Sequence, residues 1–140
     1  MTSAHPYPTE AWANLTLKQT QALVKQWIEE SHNLVGKPFY TGEFNVHNVG
    51  RSLWWRGIFS VMEQYGGDGS GFWWYQDRAI DGKFGVAEGA PELAVLRAHS
   101  AAVAAKNGPA GPTPTSDPNV TPTRTPAATG TPQRSPASHY

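Results

Sequence analysis

The 140-residue chain contains no cysteine. That excludes disulfides and thiolate metal sites, and says little about compartment. Charge of either sign is not in excess: 11 Lys and Arg stand against 11 Asp and Glu. No basic patch interrupts that balance, which argues against nucleic acid as a partner. Apolar runs fall far short of the roughly 18 residues of a membrane span, so no membrane partner is expected. The opening Met-Thr-Ser-Ala-His-Pro-Tyr-Pro lacks the charged-then-apolar pattern of a signal peptide. Beyond residue 108 the chain also runs out of large apolar side chains. Residues 109–140 hold eight of the twelve Pro, seven Thr, three Ser and one aromatic, Tyr140. Such a segment cannot bury enough apolar surface to offset its ordering entropy, and disorder is expected there. Residues 1–108, with all six Trp, are left to form one folded domain.

Within that domain the periodicity alternates between strand and helix. Residues 2–5 read as a strand end, cut short by Pro6 and Pro8. A helix is predicted from about Thr16 to Leu34. Thr16 and Gln19 fit a capping box, and Leu17, Leu23, Val24, Trp27 and Ile28 share one face. Gly36 ends it. Phe39 to Phe44 reads as a strand whose alternation puts Phe39, Thr41 and Glu43 on one side. A second helix is predicted over about Gly50 to Tyr65, with Trp54, Ile58, Val61, Met62 and Tyr65 as its stripe and Gly66-Gly67 as its stop. Gly71 to Gln76 reads as a third strand and Asp77 to Gly89 as a loop. Pro91 opens a third helix that runs to about Asn107. Strands separated by helices imply an α/β fold with parallel strands and right-handed crossovers.

Glu43 stands at the C-terminal end of a predicted parallel strand, the end where α/β folds place ligands and catalysis. A glutamate there is also often merely solvated. His5 and Tyr7 leave the first strand at the equivalent end, and Trp73 and Trp74 lie on the last. An acid, a histidine, a tyrosine and a tryptophan from three strand ends suit a sugar-binding cleft. Aromatic faces stack on sugar rings, and carboxylates act on the glycosidic bond. At least one of the paired tryptophans is expected to fill core instead, because strand neighbours point opposite ways. His47 and Asn48 follow Glu43 and either line the cleft or sit on a surface loop. His32 and His99 fall in helices and read as structural. Neither His5 nor His47 has the surrounding ligands of a metal site.

These residues resemble glycoside hydrolase family 5. His5-Pro6-Tyr7 resembles the family's His-x-Tyr after strand six of a (β/α)₈ barrel. Gly42-Glu43-Phe44-Asn45 resembles its nucleophile motif after strand seven, and Phe72-Trp73-Trp74 its strand-eight tryptophan beside the cleavage point. Residues 36–89 are most similar to bacterial endo-β-mannanases and their cellulase relatives. The resemblance implies that residues 1–108 are the last three βα units of a TIM barrel. It implies an extracellular parent enzyme that hydrolyses a β-1,4-linked mannan or glucan with retention. Glu43 would be the nucleophile, and His5, Tyr7, His47, Trp73 and Trp74 would contact substrate, with Trp74 the preferred cleft tryptophan. No cofactor is implied. Residues 109–140, with Pro114, Pro118, Pro122 and Pro126 nearly periodic, fit a semi-stiff linker toward a carbohydrate-binding module.

Retention needs two carboxylates about 5 Å apart. In the resembled family the acid/base follows strand four, which lies outside the part that these residues resemble. Asp77 and Asp81, in the predicted loop, show no spacing that suggests a paired role. Glu63 and Asp68 precede the third strand, at the wrong end. The chain alone is therefore expected to be inactive. Two other readings use the same surface: a non-catalytic carbohydrate-binding module, or a half-barrel that self-associates through its sheet edges.

Limited proteolysis should remove residues 109–140 at a dose that spares residues 1–108. Equal resistance of the two parts would overturn the linker reading.

Overall fold

The computed structural model describes residues 1–76 and 82–106. The expected linker, like Asp77 and Asp81, lies outside the described residues. The elements run β1 (Thr2–Ala4), α1 (Leu17–Glu30), a π-helical turn (Ser31–Val35), β2 (Phe39–Thr41), α2 (Arg51–Tyr65), β3 (Gly69–Ser70), β4 (Tyr75–Gln76), β5 (Val86–Ala87) and α3 (Pro91–Lys106). β1, β2 and β3 form a parallel sheet in that order, with Ser3 opposite Tyr40 and Tyr40 opposite Gly69. β4 and β5 form a separate parallel pair.

Local chemistry sets the helix ends. Thr16 accepts the Gln19 N–H at 3.3 Å while Gln19 accepts the Thr16 N–H at 2.9 Å, the reciprocal box that starts α1. Gly36 and Gly66, at φ 65° and 86°, close the first two helical stretches in the left-handed region. α1 packs on α2, and α2 on α3. As the middle helix, α2 must be apolar on two sides. Besides the expected stripe it therefore buries Trp55 and Phe59. The Trp55 ring meets Phe44 and Phe72, each with centroids 5.0 Å away. Removing such a buried tryptophan typically costs about 3–5 kcal/mol.

Two expectations about the sheet are corrected. β2 ends at Thr41, not Phe44, and Phe39 and Thr41 are buried toward the helices, Phe39 against Trp27 of α1 at 6.4 Å between centroids. Residues in register on parallel strands share a side, so the other face carries Ser3, Tyr40 and Gly69. Phe39 thus belongs to the core, and Phe72 packs on it as well. The third strand is also displaced. Gly69–Ser70 pairs with β2, residues 71–74 are irregular, and 75–76 join β5 instead. The ladder stops where the Gly71 N–H donates to Thr41 O at 2.7 Å, because β2 turns away at Gly42. Trp73 and Trp74, joined by a cis peptide, therefore lie off the sheet.

The helix histidines are structural ties. His99 stacks on Phe59 at 4.0 Å, reaches Glu63 through Nδ1 at 2.8 Å and Ser70 Oγ through Nε2 at 3.1 Å, and so joins α3, α2 and β3. His32 Nε2 meets Asp68 at 3.0 Å, and Asp68 also accepts the Phe39 N–H at 2.8 Å.

Burial by itself raises the pKa of Asp68. The hydrogen bonds from His32 and Phe39 and the Lys106 charge outweigh it and hold the carboxyl below its ordinary value. A carboxyl depressed in the folded state adds stability above its unfolded pKa and withdraws it as pH falls through the folded one. The thermal midpoint should therefore drop on acidification below about pH 4. The Asp68→Asn variant, less stable at neutral pH, should lose less over the same range in calorimetry.

Candidate active site

Because β1, β2 and β3 are parallel, the segments that follow them leave at one edge of the sheet. The β1 segment carries His5 and Tyr7, the β2 segment Glu43, and the β3 segment Trp73. Glu43 does not reach this edge by strand alternation, which would send it toward the helices with Thr41. The bend at Gly42 and Glu43 turns it instead.

The Tyr7 hydroxyl donates to Glu43 Oε2 at 2.9 Å. His5 Nδ1 stands 3.9 Å from the same oxygen, close enough to act electrostatically but beyond a hydrogen bond. The His5 ring lies over Gly42. A β-carbon there would fall 3.0 Å from its Cδ2 and closer still to Nε2, so the ring sits where only glycine leaves room. Burial, then the hydrogen bond and charge of Glu43, push the Tyr7 phenol well above its ordinary pKa. Tyr7 is thus a lasting donor to the carboxylate.

Glu43 and Tyr7 open onto a cleft of about 280 Å³, lined also by Glu10, Trp12, Trp73 and Phe84. Trp12 and Trp73 are 74% and 45% exposed, aromatic faces without a core to fill. Of the two candidate tryptophans Trp73 is on this wall. Trp74 is not among the described residues that line it; its ring lies 5.8 Å from that of Trp73 and its carbonyl accepts the Val86 N–H at 3.0 Å. His47 also stands off this wall. Its Nε2 meets Glu10 at 2.8 Å, its N–H donates to Thr9 Oγ1 at 3.1 Å, and its ring packs edge-on against Phe84.

Three cleft residues had no sequence signal. Glu10 and Trp12 sit in a turn-rich stretch without periodicity, and Phe84 lies in the expected loop. Glu10 bonds Lys83 at 2.8 and 2.9 Å. That bond, helped by His47 and opposed by burial, holds its carboxyl below the usual range. Glu10 is thus an ionised acceptor rather than a proton donor.

The wall is held by Asn45, which is fully buried. Its Nδ2 donates to Trp73 O and, at 2.7 Å, to Phe84 O. Its Oδ1 accepts Trp55 Nε1–H at 3.2 Å and the Val46 N–H at 2.8 Å. Both donors and both acceptor positions of the amide are used. Asn45→Ala would strand several buried polar groups, at about 1–3 kcal/mol each. It should lower unfolding free energy by about 2–5 kcal/mol in urea titrations and speed amide exchange in residues 82–85. Unchanged stability would show that these bonds are not formed in solution.

No protein-family model and no curated protein matches this chain. Solved structures do. It is similar to the endo-β-1,4-mannanase of Thermotoga petrophila, with TM-score 0.56 and 20% identity over 78% of this chain and 27% of that one. It is similar to an endo-β-1,4-glucanase of Xanthomonas axonopodis pv. citri, with TM-score 0.58 and 18% identity over 72% and 36%. A glycoside hydrolase family 5 mannosidase of Rhizomucor miehei gives TM-score 0.54 and 13% identity over 72% and 37%. At these identities the likeness is one of fold, and the chain spans about a third of the length of those proteins. Its α/β fold is similar to part of the fold of these three enzymes.

Proposed function

We propose that residues 1–108 supply the nucleophile side of a retaining β-1,4-glycanase of glycoside hydrolase family 5. The carrying observation is the 2.9 Å bond from Tyr7 to Glu43 at the C-terminal edge of the parallel sheet, facing a cleft with exposed tryptophans. In this reading a β-linked mannan or glucan lies along the cleft with a sugar ring stacked on Trp73. Glu43 attacks the anomeric carbon and forms a glycosyl-enzyme, which water then hydrolyses. Tyr7 holds the carboxylate in line, and its raised pKa keeps it a donor at working pH. His5 adds an electrostatic contact on the same oxygen. Trp74 and His47 act behind the wall, Trp74 against Trp73 and His47 on Glu10.

A double displacement needs an acid as well as a nucleophile. Among the described residues Glu10 is the other carboxylate on this cleft, and its lowered pKa unfits it to protonate a leaving group. We therefore assign the acid/base to a barrel unit beyond residues 1–140, as the family resemblance implies, and expect the chain alone to bind glycan without appreciable turnover. An extracellular parent enzyme, with residues 109–140 as a linker to a carbohydrate-binding module, completes the reading. The same exposed aromatics support a second reading, a module that binds glycan and never cleaves it.

Calorimetry with manno- and cello-oligosaccharides, run beside a reducing-sugar assay, tests this. The chain should bind one series, and Trp73→Ala should weaken binding by about 1 kcal/mol, roughly fivefold. Turnover should be at most trace. In the barrel completed by its other units, Glu43→Ala should abolish hydrolysis. A completed barrel that binds but never cleaves would favour the second reading. Ordinary turnover by the 140-residue chain would overturn the assignment of the acid/base.

A further inference from the structure

The turn at residues 82–85 is fastened more heavily than a surface turn requires. Arg51, in the first turn of α2, donates to Lys83 O at 2.7 Å and to Gly85 O at 2.9 Å. Asn45 donates to Phe84 O between them at 2.7 Å. Three successive carbonyls are thereby fixed by two side chains, Asn45 of the segment that leaves β2 and Arg51 at the start of α2. Turns tolerate movement unless their backbone groups are bonded into the body of the protein. This one is bonded at every residue from 83 to 85.

The side chains of that turn all point to one outcome. The Phe84 ring packs on Tyr7 with centroids 5.1 Å apart and planes at 60°. The His47 ring stands nearly perpendicular to it with centroids 5.3 Å apart, and the Lys83 ammonium lies 4.9 Å from its centroid. Lys83 and His47 then converge on Glu10, in the same turn region as Tyr7. Phe84 is thus held between Tyr7 of the β1 segment, His47 of the β2 segment and the ammonium of its own neighbour Lys83. We propose that Phe84 is a positioning residue, whose ring, locked in place by the Glu10–Lys83–His47 network, wedges Tyr7 so that its hydroxyl stays on Glu43.

The physical reason is rotameric. Tyr7 lines the cleft, so water competes for its hydroxyl. A rotation about its side-chain bonds would carry the hydroxyl off the carboxylate, and the ring beside it removes that space. The wedge keeps the donor bonded before substrate arrives, as an active site needs of its supporting groups. Its catalytic meaning rests on the glycanase reading, but the coupling of Phe84 to the Tyr7–Glu43 pair does not.

The test reads Tyr7 directly in the 140-residue chain, which has five tyrosines. In an ultraviolet titration of the phenols, Tyr7 should ionise later than the ordinary phenol value of about 10, and Tyr7→Phe should delete that late step. Glu43→Gln, which removes the facing negative charge, should bring the step earlier. Among the described residues the other charged or titratable groups around the cleft are Glu10, Lys83, His5 and His47, and none of them is changed in Phe84→Ala. That variant should bring the late step down toward the ordinary phenol value of about 10. Glu10→Gln and Lys83→Met, both milder changes, should shift it the same way by less, and they carry the test if Phe84→Ala does not fold. Folded variants in which Tyr7 ionises as late as in the parent chain overturn the proposal, as does a parent chain with no late step. Glycan binding measured in parallel separates the two ideas: a parent chain that binds no glycan counts against the glycanase reading and leaves the Tyr7 result standing.

Discussion

The buried Asn45 amide lies where four parts of the chain meet, and it answers a polar group from each. The Trp55 indole comes from the central helix, the Trp73 carbonyl from the segment beyond β3, the Phe84 carbonyl from the turn before β5, and the Val46 N–H from its own strand exit. The bonds to the indole and to the Val46 N–H are buried and those to the two carbonyls partly so, and an unmatched group there is costly. One side chain thus fixes where the tryptophan wall stands relative to Glu43, two residues earlier in sequence. Arg51 extends the same logic outward by capturing the carbonyls on either side of Phe84. The cleft is built from irregular chain, yet its walls are bonded like regular structure.

Among the described residues two carboxylates face this cleft, and their surroundings differ. Glu43 accepts from the Tyr7 phenol and has His5 Nδ1 3.9 Å away. Glu10 meets an ammonium, and its charge is committed to the wall. Environment, not residue type, separates a carboxylate left open to the cleft from one engaged by an ammonium. Phe84 joins the two, because the network around Glu10 grips the ring that packs on Tyr7.

Behind the cleft, the fold invests its apolar residues in the helix-facing side of a very small sheet. The three parallel strands contribute few ladder bonds, so packing carries most of the organisation. Trp55, Phe59 and Phe44 form one aromatic cluster, and His99 and Asp68 tie helix to helix and helix to strand by hydrogen bonds. The sheet's other face presents Ser3, Tyr40 and Gly69, a polar and narrow surface.

What the sequence by itself determined was local and periodic. The capping box at Thr16, the glycine stops at 36 and 66, and the apolar spacing of α1 and α2 depend on neighbours within a few residues, and all appear where the pattern puts them. The order of strands and helices, with parallel pairing, follows from the same patterns. His5, Tyr7 and Glu43 were legible because strand ends in a parallel fold share an edge. Tertiary structure decided the rest. The sheet side of Phe39 depends on which face the helices cover, a choice that alternation cannot make. β2 stops at Thr41 and β3 at Ser70 because the chain turns to satisfy Asn45 and its neighbours, contacts made across 28 and 39 residues of sequence. The same long-range bonds put Trp73 on the cleft wall and bring Glu10, Trp12 and Phe84 beside it. Those three carry no periodicity of their own, and they become a site only through partners that are distant along the chain.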